Sequence, residues 1–231
     1  MSARRGEPRQ LLDIPSQLAD WAAAIAYVRT LEEIDTTRIA LWGTSFSGGH
    51  VIVTAAQDPA IAAVIAQNPF TDGYTTIFMH DPLTTLRLMV ASTRDQFNQW
   101  TRRPPHYIKA IDAPGAVAAL TVPDPEACAR LLIPEGVQWD NRLAARIIAR
   151  IPLYRPITYA ARVRRPLLVI VGEHDQITSP RAAIKTAKSA PHAELRQFEG
   201  GHFDIYAGEI FEQMVEIECE FLTRHLLMKG N

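Results

Sequence analysis

Apolar residues recur along the chain in two alternating rhythms. Over residues 14–31, Leu18, Trp21, Ala22, Ile25 and Val28 fall at i, i+3, i+4 and i+7 spacing, which predicts an amphipathic helix capped by Asp13 or Ser16. Residues 38–42 are a short apolar run ended by Gly43 and read as a strand buried on both faces. A helix over 47–56, a strand over 62–67 stopped by Asn68-Pro69, and a strand over 166–172 with a helix over 180–190 behind it continue the alternation. A short strand over 194–198 and a helix over 208–227, with Ile210, Phe211, Met214, Ile217 and Phe221 at helical spacing, complete it. Between them the pattern changes. Residues 70–165 carry helical stretches at 83–98, 124–132 and 141–151, broken by Pro104-Pro105, Pro114-Gly115, Pro123, Pro125, Pro134 and Pro152. The expected architecture is therefore α/β: a mostly parallel sheet with helices on both faces, built from residues 1–69 and 166–231 and interrupted by a helical insertion over 70–165. Ligands of such sheets sit at the carboxyl ends of the strands.

Composition narrows the partners. The chain has 231 residues, 47% of them apolar, and 24 basic against 25 acidic residues give a net charge of −1. At this size roughly 70% of the unfolded surface is buried, so the core needs no disulfide or structural metal. A weak overall field gives no electrostatic reason to bind nucleic acid or an anionic membrane, and a small neutral molecule fits better. Cys128 and Cys219 stand alone, without zinc or redox spacing, which predicts no metal site and a reduced, cytoplasmic setting. No apolar stretch follows the charged first residues, and the apolar runs elsewhere are too short for a membrane span.

The chemistry lies in three loops. Gly43-Thr-Ser45-Phe-Ser47-Gly-Gly49 joins a predicted strand to a predicted helix, the context in which a serine can be held on a sharp, strained turn between small residues. Two frames fit, one centred on Ser45 and one on Ser47; Ser45 is favoured because the turn begins at the glycine that ends the strand. A serine hydroxyl needs a base, and the base needs an acid to fix its tautomer. His202, between Gly200-Gly201 and Phe203, is the candidate base, and Asp175 in Gly172-Glu-His-Asp175 the candidate acid, with Glu173 and Asp204 as alternatives. His174 is on the wrong element to be the base, and His50, His80, His106, His192 and His225 show no ligand spacing and read as surface or packing residues. In the insertion, Phe78, Met89, Phe97, Trp100 and Trp139 could line a pocket, but at helical positions they read first as core.

With these motifs in the order Ser, Asp, His, the sequence resembles the α/β-hydrolases. Phe203 and the stretch 205–212 are similar to bacterial hydrolases related to serine aminopeptidases and dienelactone hydrolases, and the likeness covers residues 1–75 and 160–229. It implies a serine hydrolase cleaving a carboxylic ester or related acyl substrate without cofactor or metal. Ser45 would be the nucleophile, His202 the base, Asp175 the acid and the Phe46 N–H an oxyanion donor. The resemblance also exposes a departure. Four strands precede the serine in similar hydrolases and need about 70–100 residues, whereas 44 residues precede Ser45. Gly6-Glu-Pro-Arg-Gln10 resembles the segment that follows the fourth of those strands. The expectation is a sheet without its first strands, no second oxyanion donor, and residues 38–42 as an unpaired apolar edge open to homo-oligomer formation. The alternative reading of function follows from it: an incomplete or impaired hydrolase homologue, a fragment or an interaction protein.

Overall fold

In a computed structural model of the protein, the described residues are 9–78 and 81–227. Gly6, Glu7, Pro8 and His80 lie outside them, as does the side chain of Phe78. In chain order the elements are α1 (Ile14–Val28), β1 (Ala40–Thr44), α2 (Ser45–Gln57), β2 (Ala63–Gln67), α3 (Pro82–Trp100), β3 (Tyr107–Asp112), β4 (Ala118–Thr121), α4 (Pro125–Leu132), β5 (Leu143–Ala144), β6 (Leu167–Gly172), α5 (Pro180–Ser189), β7 (Ala193–Phe198) and α6 (Gly208–Leu222). Pro125, which sequence reasoning treats as a break, is a helix start, as are Pro82 and Pro180. Asp81, Asp124 and Ser179 each accept a backbone N–H of the first turn, and the proline that follows each one sits where its missing N–H costs nothing.

The chain divides into two compact units. One comprises residues 15–76 and 154 onward and contains a four-stranded sheet in the order β1-β2-β6-β7, every pair parallel. Strand alternation sorts its core. Val64, Ala66, Leu167, Val169 and Val171 cluster with Ile25 of α1, Val51 and Ile52 of α2, and Ala183 and Ala187 of α5. Ala63, Ile65, Leu168 and Ile170 cluster instead with Met214 and Phe221 of α6. Helices thus cover both faces, and β2 and β6 are buried along their whole length, in keeping with sequences that are apolar apart from Gln67. The last predicted helix is α-helical only to Leu222 and continues as one π turn over Thr223–Leu227. Among the described residues no helix is long and apolar enough to cross a membrane.

Among the described residues β1 pairs with β2 alone, and Trp42 on it is 47% exposed. Its indole Nε1–H donates to Glu218 Oε2 of α6 at 3.0 Å, while Glu218 Oε1 is buried without a partner. Burial holds the Glu218 carboxyl above its ordinary value despite that bond. A carboxyl raised in the fold is most favourable when protonated, so its contribution is lost as pH rises through the folded pKa. Glu218→Gln keeps the indole acceptor and removes the charge. Thermal melts should show the variant about 2–6 °C more stable at pH 8, the gap closing near pH 4. An equal difference at both pH values would contradict this account.

The other unit comprises residues up to Ile14 together with 77–153. Sequence reasoning expects it to be helical over 70–165, and it differs in two ways. A three-stranded sheet, β4-β3-β5, runs through it, with β3 parallel to β4 and antiparallel to β5. The segment 141–151 is not an α-helix but β5 followed by tight turns over Ala145–Ala149 and Ile151–Leu153. The physical reason is side-chain capture. Asn141 accepts the N–H groups of Ala110 and Ile111 and donates to Ile111 O, locking the chain beside β3. Asp95 on α3, fully buried, takes the Arg146 guanidinium at 2.7 and 3.0 Å and the Arg146 and His106 N–H groups at 2.8 Å. Burial works against its charge, and these donors outweigh it, holding the carboxyl below its ordinary value. Met89, Phe97, Trp100 and Trp139, read first as core, are exposed, Trp100 by 81%.

Residues 70–76 and 154–165 belong with the large sheet rather than with the insertion. Arg155 Nε and Nη2 reach Asp72 at 2.7 and 3.0 Å, Gly73 N donates to Tyr154 O, and Ile157 N donates to Thr71 O. The two ends of the insertion are thereby fastened to each other within the sheet unit.

Candidate active site

The turn from β1 into α2 is tightly constrained. Ser45 has φ 54°, a left-handed conformation that a serine adopts only where its surroundings impose it. Close approach explains the neighbouring glycines. A Cβ on Gly43 would lie 2.5 Å from Ser47 O, and one on Gly48 would lie 2.9 Å from Pro69 Cα. Ser47 lies in the first turn of α2, so of the two frames left open by sequence it is Ser45 that occupies the strained position. The helix opens at Ser45, which leaves the N–H of Phe46 among those with no acceptor inside the helix.

Ser45 follows β1, Asp175 follows β6 and His202 follows β7, so parallel strand direction brings all three to the carboxyl edge of the sheet. Ser45 Oγ lies 2.9 Å from His202 Nε2, and His202 Nδ1 lies 2.7 Å from Asp175 Oδ2. Both members of the His–Asp pair are buried. Asp175 also accepts the N–H groups of Ile177 and Thr178 at Oδ1 and the Thr178 hydroxyl at Oδ2. Burial opposes its ionisation, but the bond to His202 and those to Thr178 prevail and hold the carboxyl below its ordinary value. An ionised carboxylate only accepts, so the proton is on Nδ1 and the Nε2 lone pair faces the serine hydroxyl. That arrangement can draw the proton from Ser45 Oγ. The other acid candidates are elsewhere: Glu173 is exposed, and Asp204 accepts from Gly201 N at 2.7 Å, bracing the loop that carries His202.

Three neighbours carry little sequence signal. Thr178 fixes the carboxylate from behind, and an Asp-x-x-Thr spacing is the only hint of it. Asn68, at the end of β2, donates from Nδ2 to His202 O at 3.1 Å and accepts Gly172 N–H at Oδ1 at 2.8 Å, although in the sequence Asn68-Pro69 reads as no more than a strand stop. His50, one helical turn after Phe46, is 2% exposed. Its ring lies 2.6 Å from Tyr154 Oη and 3.3 Å from Gln17 Oε1, and packs edge-on against Phe46. Burial alone pushes this imidazole down to about 4, so it is neutral at physiological pH. Nε2–H then donates to Gln17 and Nδ1 accepts from Tyr154, inside an aromatic wall of Phe46, Phe70 and Tyr154. Among the described residues no cluster of His, Cys, Asp and Glu could hold a metal ion.

Residues 6–203 match the family described as X-Pro dipeptidyl-peptidase (S15 family). A relative from Acinetobacter baumannii (strain MDR-ZJ06), the quorum-quenching protein AidA, is 40% identical over 224 residues, covering 97% of this chain and 74% of its own length. The thiohydrolase apmlB of Arthrinium phaeospermum is 23% identical over 238 residues, covering 97% of this chain and 76% of its own. Among solved structures, the α/β-hydrolase GrgF from Penicillium sp. sh18 superposes with a TM-score of 0.78 at 20% identity, over 96% of this chain and 76% of that one. With a parallel sheet covered on both faces, a strained serine turn after its first described strand and a family match across most of its length, the chain belongs to the S15 family of α/β-hydrolases.

Proposed function

We propose that this hydrolase cleaves carboxylic esters or related acyl substrates through a covalent acyl-serine. The observation that carries the reading is the unbroken chain of bonds from Asp175 through His202 to Ser45, ending on a serine at φ 54°. Ser45 Oγ attacks the carbonyl carbon while His202 Nε2 takes its proton, and the Phe46 N–H faces the oxygen on which charge develops. His202 then returns the proton to the leaving alcohol or thiol as the carbonyl re-forms. A water molecule, deprotonated by the same imidazole, releases the acid and regenerates the serine. Asp175 holds the tautomer and offsets the transient imidazolium charge. The relative named as a thiohydrolase supports a hydrolytic reaction.

A fluorophosphonate probe tests this directly. The protein should take up one equivalent, on the peptide containing Ser45, and a panel of p-nitrophenyl esters of increasing chain length should be hydrolysed. Labelling at another residue, or none, would remove the basis for the proposal.

A further inference from the structure

We infer that Asn68 is a positioning residue that aligns the histidine with its acid, an inference that rests on the serine-hydrolase reading above. Asn68 is 1% exposed and has φ 39°, immediately before Pro69. A residue before proline is already restricted in its backbone by the ring, and left-handed φ adds strain that asparagine tolerates better than most side chains. The strained conformation belongs to the residue whose carboxamide bridges two catalytic loops. Oδ1 accepts the N–H of Gly172, the last residue of β6 before the turn to Asp175, and Nδ2 donates to the backbone carbonyl of His202 itself. Its backbone N–H is fastened to Ile170 O at 2.8 Å, so the bridge is anchored to the strand that leads to the acid. Thr178 Oγ1, which binds the Asp175 carboxylate, lies 3.4 Å from Asn68 O.

These contacts leave little play. The loop after β7 has two glycines before His202 and is otherwise held by His174 N on Gly200 O and by Asp204 on Gly201 N. Neither contact touches His202, whereas the Asn68 amide holds that residue's own carbonyl. Asn68 forms no bond to Ser45, and its role is to keep the imidazole in register with Asp175 and the serine. A displacement of about 1 Å in such a group is enough to cost about 10²-fold in rate.

Two variants separate the side chain from the backbone. Asn68→Gly keeps access to the left-handed conformation and removes both amide bonds. Asn68→Asp keeps an acceptor for Gly172 N–H but turns the donor toward His202 O into a repelling oxygen. Both should lower kcat on a p-nitrophenyl ester by about 10- to 100-fold with KM within about twofold, while circular dichroism stays native. The downfield proton resonance of the His202 Nδ1–H to Asp175 bond, identified by its disappearance in His202→Ala, should broaden or vanish in both. This resonance does not depend on turnover, and a residue that merely stapled the loop would leave it in place. A native resonance with kcat within threefold of the parent in Asn68→Gly overturns the inference. If instead Ser45→Ala keeps the parent's esterase activity, the serine-hydrolase reading fails, and the resonance alone still decides whether Asn68 aligns the pair.

Discussion

Asp175→Asn should lower kcat for ester hydrolysis by about 10⁴ while leaving the fold and the serine in place. The effect comes from the proton, not from packing. An ionised Asp175 can only accept and so forces the imidazole proton onto Nδ1, 2.7 Å away. An amide at this position can turn its NH₂ toward Nδ1, and the ring then carries its proton on Nε2, facing Ser45 Oγ at 2.9 Å with a donor instead of a lone pair. The hydroxyl then has no base. Groups that act as one unit lose their effect together, so Ser45→Ala combined with Asp175→Asn should be no slower than Ser45→Ala alone. Steady-state rates for the single and double variants, with fluorophosphonate labelling rates beside them, check the prediction. A loss under tenfold in Asp175→Asn, or independent losses that multiply in the double variant, would show that the three residues do not act as one unit.

The largest expected effect on stability is at Gly49. A Cβ there would lie 2.3 Å from Phe70 O and 2.9 Å from the ring of Pro156, and the first of these is a backbone atom held in place, because Phe70 N donates to Ser45 O. Neither α2 nor the segment after β2 can yield without disturbing the serine turn. Gly49→Ala should therefore destabilise by about 3 kcal/mol or more and lower Tm by roughly 6–12 °C. Gly201→Ala is the matched control, since its nearest atoms would be at 3.6 and 3.8 Å, ordinary contact distances. It should shift Tm by no more than about 2 °C. Equal shifts for the two variants in thermal or urea melts would mean that the close approach at Gly49 is relieved elsewhere.

How much of this was legible beforehand varies by element, for physical reasons. The buried strands at Ala63–Gln67 and Leu167–Gly172 announce themselves because both faces are covered and their sequences are nearly all apolar, Gln67 at the end of the first being the polar exception. Ser45 and His202 stand out in the sequence because small residues surround the serine between a strand and a helix and two glycines precede the histidine. Asn68 is not, because an asparagine before a proline is what an ordinary turn contains, and only the parallel pairing of β2 with β6 brings it to Gly172. His50 escapes for a related reason. Its partners Gln17 and Tyr154 lie 33 and 104 residues away, and no local pattern encodes such a contact. The sheet of the insertion leaves little signal because Tyr107–Asp112 is only six residues long, does not alternate apolar with polar positions, and lies between Pro104-Pro105 and Pro114-Gly115, which read as interruptions.

The clamp formed by Asp72 with Arg155 and Gly73 with Tyr154 has a consequence for chain entropy. β2 and β6 are neighbours although Val64 and its partner Leu167 are separated by the whole insertion, so folding the sheet closes a very large ring. The cost of closing such a ring grows only with the logarithm of its length, about 0.6 kcal/mol for each doubling. Once the two ends are pinned side by side, lengthening or shortening residues 77–153 changes that cost little. The size of the insertion is thus nearly neutral for closing the sheet, and the clamp at its base is what holds the two ends of that ring side by side.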